Sequence, residues 1–484
     1  MDVKLDTDSK KPKYIVLRDE LRRMILSGEL PTDAKLPSQR ALMVMAGVSR
    51  NTVMEAYGLL EDDGLVEVVP GKGVFVQNGL AVPRRDDGRC FDWAVRINED
   101  IARLTDYREH SGKINYGDRS VISFSSLAPD HNLFAAEVFR KALNDIMARE
   151  GSILLNYGYV RGFEPLRRYL LDYLKSKGIN HEGHELLITN GFRQGLELIA
   201  RVLVKKGETV LCEGPTYNGA LGVFYSVGAN IVAVDMDEEG MRADLAEQAI
   251  RQHHPAFIYV IPTYQNPTGI NMSTARRRQL LELARKYSVP IVEDGFNEEL
   301  RFYGAAMASI KSMDTGGFVV YAGSFSKVLF PGLRVGWVLA PKELGRHLYH
   351  GKYNDDIHTG LLHQAGLYEY LSRGNFEKHL RYCRSVYKSR MAAALSALSA
   401  NMRDLAEWSE SSGGFCVWLK LKNNVNARTL LDKAVNYGVM YVPGDTFYPD
   451  GRGADHIRLG FSRLDEKSIG EGIARLARLV RTEG

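Results

Sequence analysis

The sequence predicts two fold classes in series: a small three-helix unit closed by a β-hairpin, then a large α/β unit built on a mostly parallel sheet. Three observations carry this. Residues 13–76 show helical apolar spacing broken by turn residues, and end in two short β-rich runs. Beyond residue 120, β-rich apolar runs alternate with amphipathic helices, the pattern of strands covered by helices on both faces. Between them, from about 79 to 118, the pattern dissolves into polar, charge-mixed sequence such as VPRRDDGRC, with one short helix expected around 93–104. The expected boundaries are therefore 1–78, a linker 79–118, and 119–484, with a smaller α/β subdomain over about 370–484.

At 484 residues the chain exceeds one core, given ~100–200 residues per domain. Its 45% hydrophobic and 25% charged residues are those of an ordinary globular protein, and a net charge of +4 neither favours nor excludes nucleic acid. MDVKLDTDSKKPK lacks the apolar stretch of a secretory signal, and no run approaches the ~20 apolar residues of a membrane span. Cys90, Cys212, Cys383 and Cys416 form no CxxC pair, which fits free thiols in a reducing cytoplasm and offers no metal site.

In the first unit, Leu17, Leu21, Ile25 and Leu26 recur at helical spacing before Ser27-Gly28 stops the helix. Pro37-Ser38 starts a second helix, which Gly47 breaks. Ser49 is placed to cap a third, with Val53, Tyr57 and Leu60 on one face. Residues 65–69 and 74–76 read as strands turned by Pro70-Gly71-Lys72-Gly73. Three helices and a hairpin make a winged helix-turn-helix. Ser49, Arg50, Asn51 and Thr52 crowd the first turn of the third helix, where a recognition helix meets the major groove. Arg50 suits guanine O6/N7 or a phosphate, Ser38 and Arg40 suit backbone contacts, and Lys72 sits at the wing tip. Singly, each basic residue reads as a solvated surface charge; the ordered set reads as a DNA site. Basic and acidic residues nearly balance over residues 1–80, so non-specific affinity is expected to be modest and salt-sensitive.

In the second unit, Lys327 lies in GSFSKVLFPGLRVGWVLAP, with Ser324 three residues before it and Arg334 seven after. A hydroxyl and a fixed cation beside a lysine suit a phosphate dianion next to a carbonyl-trapping amine. Asp294 closes the apolar strand VPIVED, where a carboxylate can pair with a protonated ring nitrogen. Asn266 in TYQNPTG is in reach of a ring oxygen, and Tyr217 in EGPTYNGAL offers a stacking face. GFRQG (191–195) opens a helix, so the amides of Phe192 and Arg193 suit phosphate. Arg458 in HIRLGFS suits a carboxylate. An SxxK alone is weak; SFSK followed by PGLRVG, after NPTG and ED, is specific.

LPSQRALMVMAGVSRNTVMEAYGLLEDDGLVEVVPGKGVFV resembles the winged-helix domain of GntR-type regulators along its length, and the chain from about 120 onward resembles fold-type I aminotransferases. The whole is similar to the MocR-type branch of the GntR superfamily. That resemblance implies pyridoxal 5′-phosphate on Lys327, Asp294 at the pyridine nitrogen, Asn266 at the ring oxygen and Tyr217 on the ring face. It implies phosphate contacts from Ser324, Arg334 and the amides of Phe192 and Arg193, and a ligand carboxylate on Arg458. It also implies that Tyr157 in NYGYVRG reaches the phosphate of a second subunit, hence a homodimer.

Three departures stand out. Phe296 replaces the usual tyrosine two residues after the aspartate, Gly191-Phe192-Arg193-Gln194 replaces Gly-Ser-Gln-Gln, and Leu127 replaces a usual glycine. The expected function is a cytoplasmic, amino-acid-responsive regulator that binds operator DNA. A true pyridoxal-phosphate enzyme acting on an amino acid, by transamination or elimination and replacement, stands as the alternative.

Overall fold

The computed structural model describes residues 11–77, 93–97 and 120–484, and the chain divides into two units, Met1–Arg96 and Ile97–Gly484. In the first, α1 (Lys13–Leu26) buries Leu17, Leu21, Met24 and Ile25, and stops at Ser27 before Gly28, whose φ is +76°. Helix α2 (Gln39–Ala46) starts on Ser38, whose Oγ accepts the Ala41 N–H at 3.2 Å, and ends on left-handed Gly47. Helix α3 (Arg50–Asp62) starts on Ser49, whose Oγ accepts the Thr52 N–H at 3.2 Å. Each such cap contributes about 1 kcal/mol. Val53, Ala56, Tyr57 and Leu60 form the buried face of α3, and the Tyr57 hydroxyl donates to the Pro37 carbonyl at 2.7 Å, tying α3 to the start of α2. Strands β1 (Val66–Val69) and β2 (Gly73–Val76) pair antiparallel, Val66 opposite Val76. This is a winged helix-turn-helix. Of the short helix expected at 93–104, Trp93–Arg96 is one 3₁₀ turn, and residues 98–104 lie outside the described residues.

The second unit holds an eight-stranded sheet in the order β4-β11-β10-β9-β8-β5-β6-β7, with β4 (His184–Thr189), β5 (Thr209–Gly214), β6 (Asn230–Asp237), β7 (Gly240–Met241), β8 (Phe257–Val260), β9 (Ile291–Asp294), β10 (Val319–Ser324) and β11 (Gly336–Pro341). Strands β5, β6, β8, β9 and β10 pair parallel, while β11 lies antiparallel between β4 and β10. Strands β5, β8 and β9 are buried at every residue, which is why they read as unbroken apolar runs rather than alternating ones. Thr209, Glu213, Glu293 and Asp294 are polar exceptions, all at or next to strand ends.

A smaller antiparallel sheet runs β12-β13-β16-β15, with β12 (Ala406–Trp408), β13 (Cys416–Leu421), β15 (Val442–Pro443) and β16 (His456–Gly460), packed by helices Asn375–Asn401 and Glu466–Glu483. One contribution comes from far upstream. Strand β3 (Ile122–Ser123) pairs parallel with β14 (Val439–Met440), and Phe124 is fully buried in the core of this C-terminal layer. The chain therefore crosses from the C-terminal layer towards the large sheet over residues 124–135.

Candidate cofactor site and DNA-reading face

Every residue expected around Lys327 from the large sheet sits at one edge of it. Strands β4, β5, β8, β9 and β10 run the same way, so their carboxyl ends share that edge, where α/β sheets hold ligands. Beyond β4 comes the turn into helix Phe192–Leu203; beyond β5, Tyr217; beyond β8, Asn266; closing β9, Asp294; beyond β10, Lys327. Because β11 runs the other way, its start brings Arg334 to the same edge.

Phe192, Arg193, Tyr217, Phe296, Ser324, Ser326, Lys327 and Arg334 line an open cavity of about 120 Å³. Larger cavities, of about 400 Å³ beside Tyr159 and Tyr349 and about 340 Å³ beside Lys177 and Glu298, lie elsewhere. The second of these has most of its charges already paired, since Lys177 and Arg384 bind Glu298 and Glu299. The smaller cavity has the convergent chemistry.

Lys327 Nζ donates to the Leu127 carbonyl at 3.1 Å and lies 5.0 Å from the Phe296 ring centre. Burial pushes its amine down to about 8, with the Arg458 cation helping and Asp294 opposing. A lysine poised there is neutral, and so nucleophilic, far more often near neutral pH than an ordinary lysine. Asp294 is buried, and the Tyr259 hydroxyl donates to its Oδ2 at 2.6 Å. Its Oδ1 has no hydrogen-bond partner, and burial pushes the carboxyl up to about 7. A buried carboxylate oxygen without a donor costs ~1–3 kcal/mol or more, and a protonated ring nitrogen is the donor such an oxygen lacks.

Arg458 is buried with its Nε unpartnered; Nη1 donates to Asn266 Oδ1 at 3.1 Å and Nη2 to the Ser125 carbonyl at 2.7 Å. That contact turns the Asn266 amide nitrogen away from Arg458. Tyr217 stands nearly parallel to Phe296, 18° between planes and 6.4 Å between centres. A Cβ at Gly219 would lie 2.2 Å from Tyr217 Cζ, so only glycine lets that ring fold back over the helix start.

The corner around Arg334 is equally tight. A Cβ at Gly191 would lie 2.2 Å from Arg334 Nη2, which donates to the Asn190 carbonyl at 3.1 Å. Arg334 holds a left-handed φ of +54°, a conformation costing ~1–3 kcal/mol that persists where the surroundings enforce it. Ser324 Oγ donates to the Val335 carbonyl at 3.0 Å and lies 2.7 Å from Ser326 Oγ. The helix beginning at Phe192 turns its first amides to the same corner.

Tyr157 is not brought to the cavity: it is 80% exposed, edge-on to His358. Tyr259, Ser326 and the carbonyls of Ser125 and Leu127 are contacts that sequence reading missed. A tyrosine inside a buried strand and a backbone oxygen carry no signal in sequence.

On the first unit, Arg40, Arg50, Asn51 and Lys72 are exposed. Arg50 Nε donates weakly to Gln39 Oε1 at 3.4 Å, which links the starts of α2 and α3. Ser49 and Thr52 are already engaged, their hydroxyls 2.9 Å apart, and Ser38 caps α2. These three therefore support the helix starts, whereas Asn51 and, apart from its Nε, Arg50 present exposed side-chain ends. Lys72 tops the hairpin, its N–H bonded to the Val69 carbonyl and glycines on either side. Among the described residues no group of His, Cys, Asp and Glu is placed to hold a metal ion, and no helix is long and apolar enough to cross a membrane.

Residues 119–476 match the family Aminotransferase class I and II, and residues 13–76 match bacterial regulatory proteins of the gntR family. Among solved structures, the chain is 32% identical to a multiple substrate aminotransferase from Thermococcus profundus over 81% of this chain and 98% of that one, with a TM-score of 0.75. It is also 32% identical to LysN, the α-aminoadipate aminotransferase of Thermus thermophilus crystallised with N-(5′-phosphopyridoxyl)-L-leucine, over 81% of this chain and 98% of that one (TM-score 0.74). Fold and site thus define a winged helix-turn-helix joined to an aminotransferase domain.

Along nearly its whole length the chain also matches proteins that have both parts. It is 31% identical to the Bacillus subtilis HTH-type transcriptional regulator YdfD over 98% of this chain and 97% of that protein, and 29% identical to MocR, a probable rhizopine catabolism regulatory protein of Rhizobium meliloti, over 98% and 94%. The chain belongs to the MocR-type branch of the GntR regulators. The cofactor of this family's aminotransferase domain is pyridoxal 5′-phosphate, and the residues present fit it: an unpartnered buried carboxylate oxygen, a depressed lysine amine and a glycine-lined anion corner converge at one sheet edge.

Proposed function

We propose that this protein is a cytoplasmic transcription regulator whose pyridoxal-phosphate site senses an amino-acid-like ligand. In the proposed roles, Lys327 holds the cofactor covalently, Asp294 Oδ1 faces its ring nitrogen, the Asn266 amide donates to its ring oxygen and Tyr217 covers its face. Ser324, Arg334 and the amides of Phe192 and Arg193 take the phosphate, with Tyr157 reaching in from a second copy in a homodimer. Arg458 takes the ligand's carboxylate. When bound, pyridoxal 5′-phosphate supplies an aldehyde that captures amines and a ring that withdraws electrons from the captured nitrogen. Arg50, Asn51 and Lys72 read DNA, and Arg40 meets its backbone.

One observation supports sensing above all. The groups that cofactor and ligand would engage are those that hold the backbone of residues 125–127: Lys327 Nζ, which would bind the cofactor, on the Leu127 carbonyl, and Arg458 Nη2, which would take the ligand carboxylate, on the Ser125 carbonyl. A ligand carboxylate on Arg458 competes with the Ser125 carbonyl, and that segment follows directly from the connector and β3. Ligand entry is thereby converted into a change in the backbone that leads to the DNA-reading unit, which is the differential contact a two-state regulator requires.

The test is binding to the DNA upstream of the protein's own coding sequence, with and without pyridoxal phosphate, across a panel of amino acids. The expected result is a change in DNA affinity of about 5- to 150-fold with one amino-acid class. The change should require loaded cofactor and vanish in Arg458→Ala. Steady turnover of an amino acid with DNA affinity indifferent to every ligand would instead establish the enzyme reading.

A further inference from the structure

The turn expected to hold the cofactor phosphate is fastened from behind by an ion pair, its lysine buried and its aspartate half-buried, that belongs to no cofactor contact. Lys352, on helix Lys342–Asp356, is fully buried, and its Nζ donates to both carboxylate oxygens of Asp356 at 2.8 Å. Asp356 Oδ2 accepts from Gln194 Nε2 at 2.9 Å and from the Asn190 side-chain amide. Gln194 Oε1 in turn accepts the Asn190 backbone N–H at 2.7 Å and lies 3.3 Å from Lys352 Nζ. Asn190 and Gln194 bracket the turn whose amides at Phe192 and Arg193 open the helix, and the Asn190 carbonyl is the acceptor that holds Arg334. One ion pair thus reaches both halves of the anion corner, the amides through Gln194 and the guanidinium through Asn190.

A buried ion pair is a poor source of stability, because desolvation of the two charges offsets most of their attraction. Its use here is geometric. Gly191 and Gly195 leave the turn short of side chains to fix it; external hydrogen bonds supply that rigidity. We propose that Lys352 and Asp356 are positioning residues for the phosphate subsite, holding the Asn190–Gln194 turn and Arg334 in the geometry that binds a phosphate dianion. This rests on the reading that the turn receives the cofactor phosphate, and goes beyond it in assigning the pair that sets its shape.

The experiment compares the apo-protein's affinity for pyridoxal 5′-phosphate with that for pyridoxal, which lacks the phosphate, in the full-length protein. The variants are Asp356→Asn, which keeps the side chain's shape, and the double variant Lys352→Met/Asp356→Asn, which leaves no unpaired buried charge. The wild type should bind the phosphorylated form far more tightly. Each variant should lose affinity for pyridoxal 5′-phosphate by about tenfold or more, the size of loss seen when outer-shell partners of a bound ion are removed. Affinity for pyridoxal should stay within about twofold. Equal loss for both ligands, or no loss for either, overturns the positioning role, the first by making the pair a general prop. A wild type indifferent to the phosphate would overturn the phosphate reading itself, and this assignment with it.

Discussion

The DNA-reading face and the cofactor site solve opposite problems. On α3, the candidate DNA contacts Arg50 and Asn51 are exposed and adjacent in the chain, on a helix start held by Ser49 and Thr52. Around Lys327, the groups come from six separate strand ends, Asp294, Asn266 and Arg458 are buried, and several are held by bonds to residues distant in sequence: Leu127 to Lys327, Asn266 to Arg458, Tyr259 to Asp294. A local site is fixed by capping and helical period. A converging site is fixed by sheet topology and by the cost of leaving buried polar groups unmatched.

The comparison breaks first at Lys327. Lys327→Ala should abolish covalent retention of pyridoxal phosphate after borohydride treatment and the associated visible absorbance. The winged-helix unit, with its own core of Leu17, Leu21, Val53 and Leu60, should keep its fold. Retained label on another lysine would remove Lys327 from its role. A smaller effect is expected on the other side. Arg50→Ala should weaken sequence-specific DNA binding by ~1–3 kcal/mol in a salt-controlled titration if it bridges a guanine, with cofactor absorbance unchanged. Ser49→Ala tests the distinction within α3, because its cost should be seen as ~1 kcal/mol of lost stability in the first unit rather than as altered base preference.

The smallest expected effect sharpens the contrast at Phe296. Its ring lies beside Tyr217 and Lys327, and it brings no hydroxyl to the site. Phe296→Tyr adds a donor that favours the deprotonated form of the bound chromophore. The pH midpoint of the loaded protein's visible absorbance should therefore fall, by about one unit for each ~1.4 kcal/mol gained. Superimposed titrations of the two proteins would show that Phe296 only packs.

What could be read from sequence follows the same division. Ser38, Gly47, Ser49 and Gly28 fixed the helix limits of the first unit because capping is a matter of three or four neighbouring residues. In the second unit, unbroken apolar runs announced buried parallel strands, and residues at their ends announced the site. The pairing of residues 122–123 with 439–440 was not legible, since a two-residue strand has no period. Neither was the Lys352–Asp356 pair, which looks in sequence like an ordinary i,i+4 surface bridge until the fold buries its lysine. Gln265, whose amide ties the Asn266 turn to Glu213 and the Pro215 carbonyl, is hidden for the same reason.

The bond from Arg458 to the Ser125 carbonyl also bears on sensitivity. On the proposed reading it makes the protein its own competitive inhibitor. Measured affinity is the intrinsic affinity scaled by the fraction of molecules in which that carbonyl has let go, so a resting state favoured a hundredfold raises the half-saturating concentration about a hundredfold. The threshold can then be retuned at residues that hold residues 124–130, such as Tyr387 and Arg390, which bond to the Asp130 N–H and carboxylate. Dose and selectivity are thereby separable: one set of positions chooses the ligand, and another decides how much of it counts as a signal.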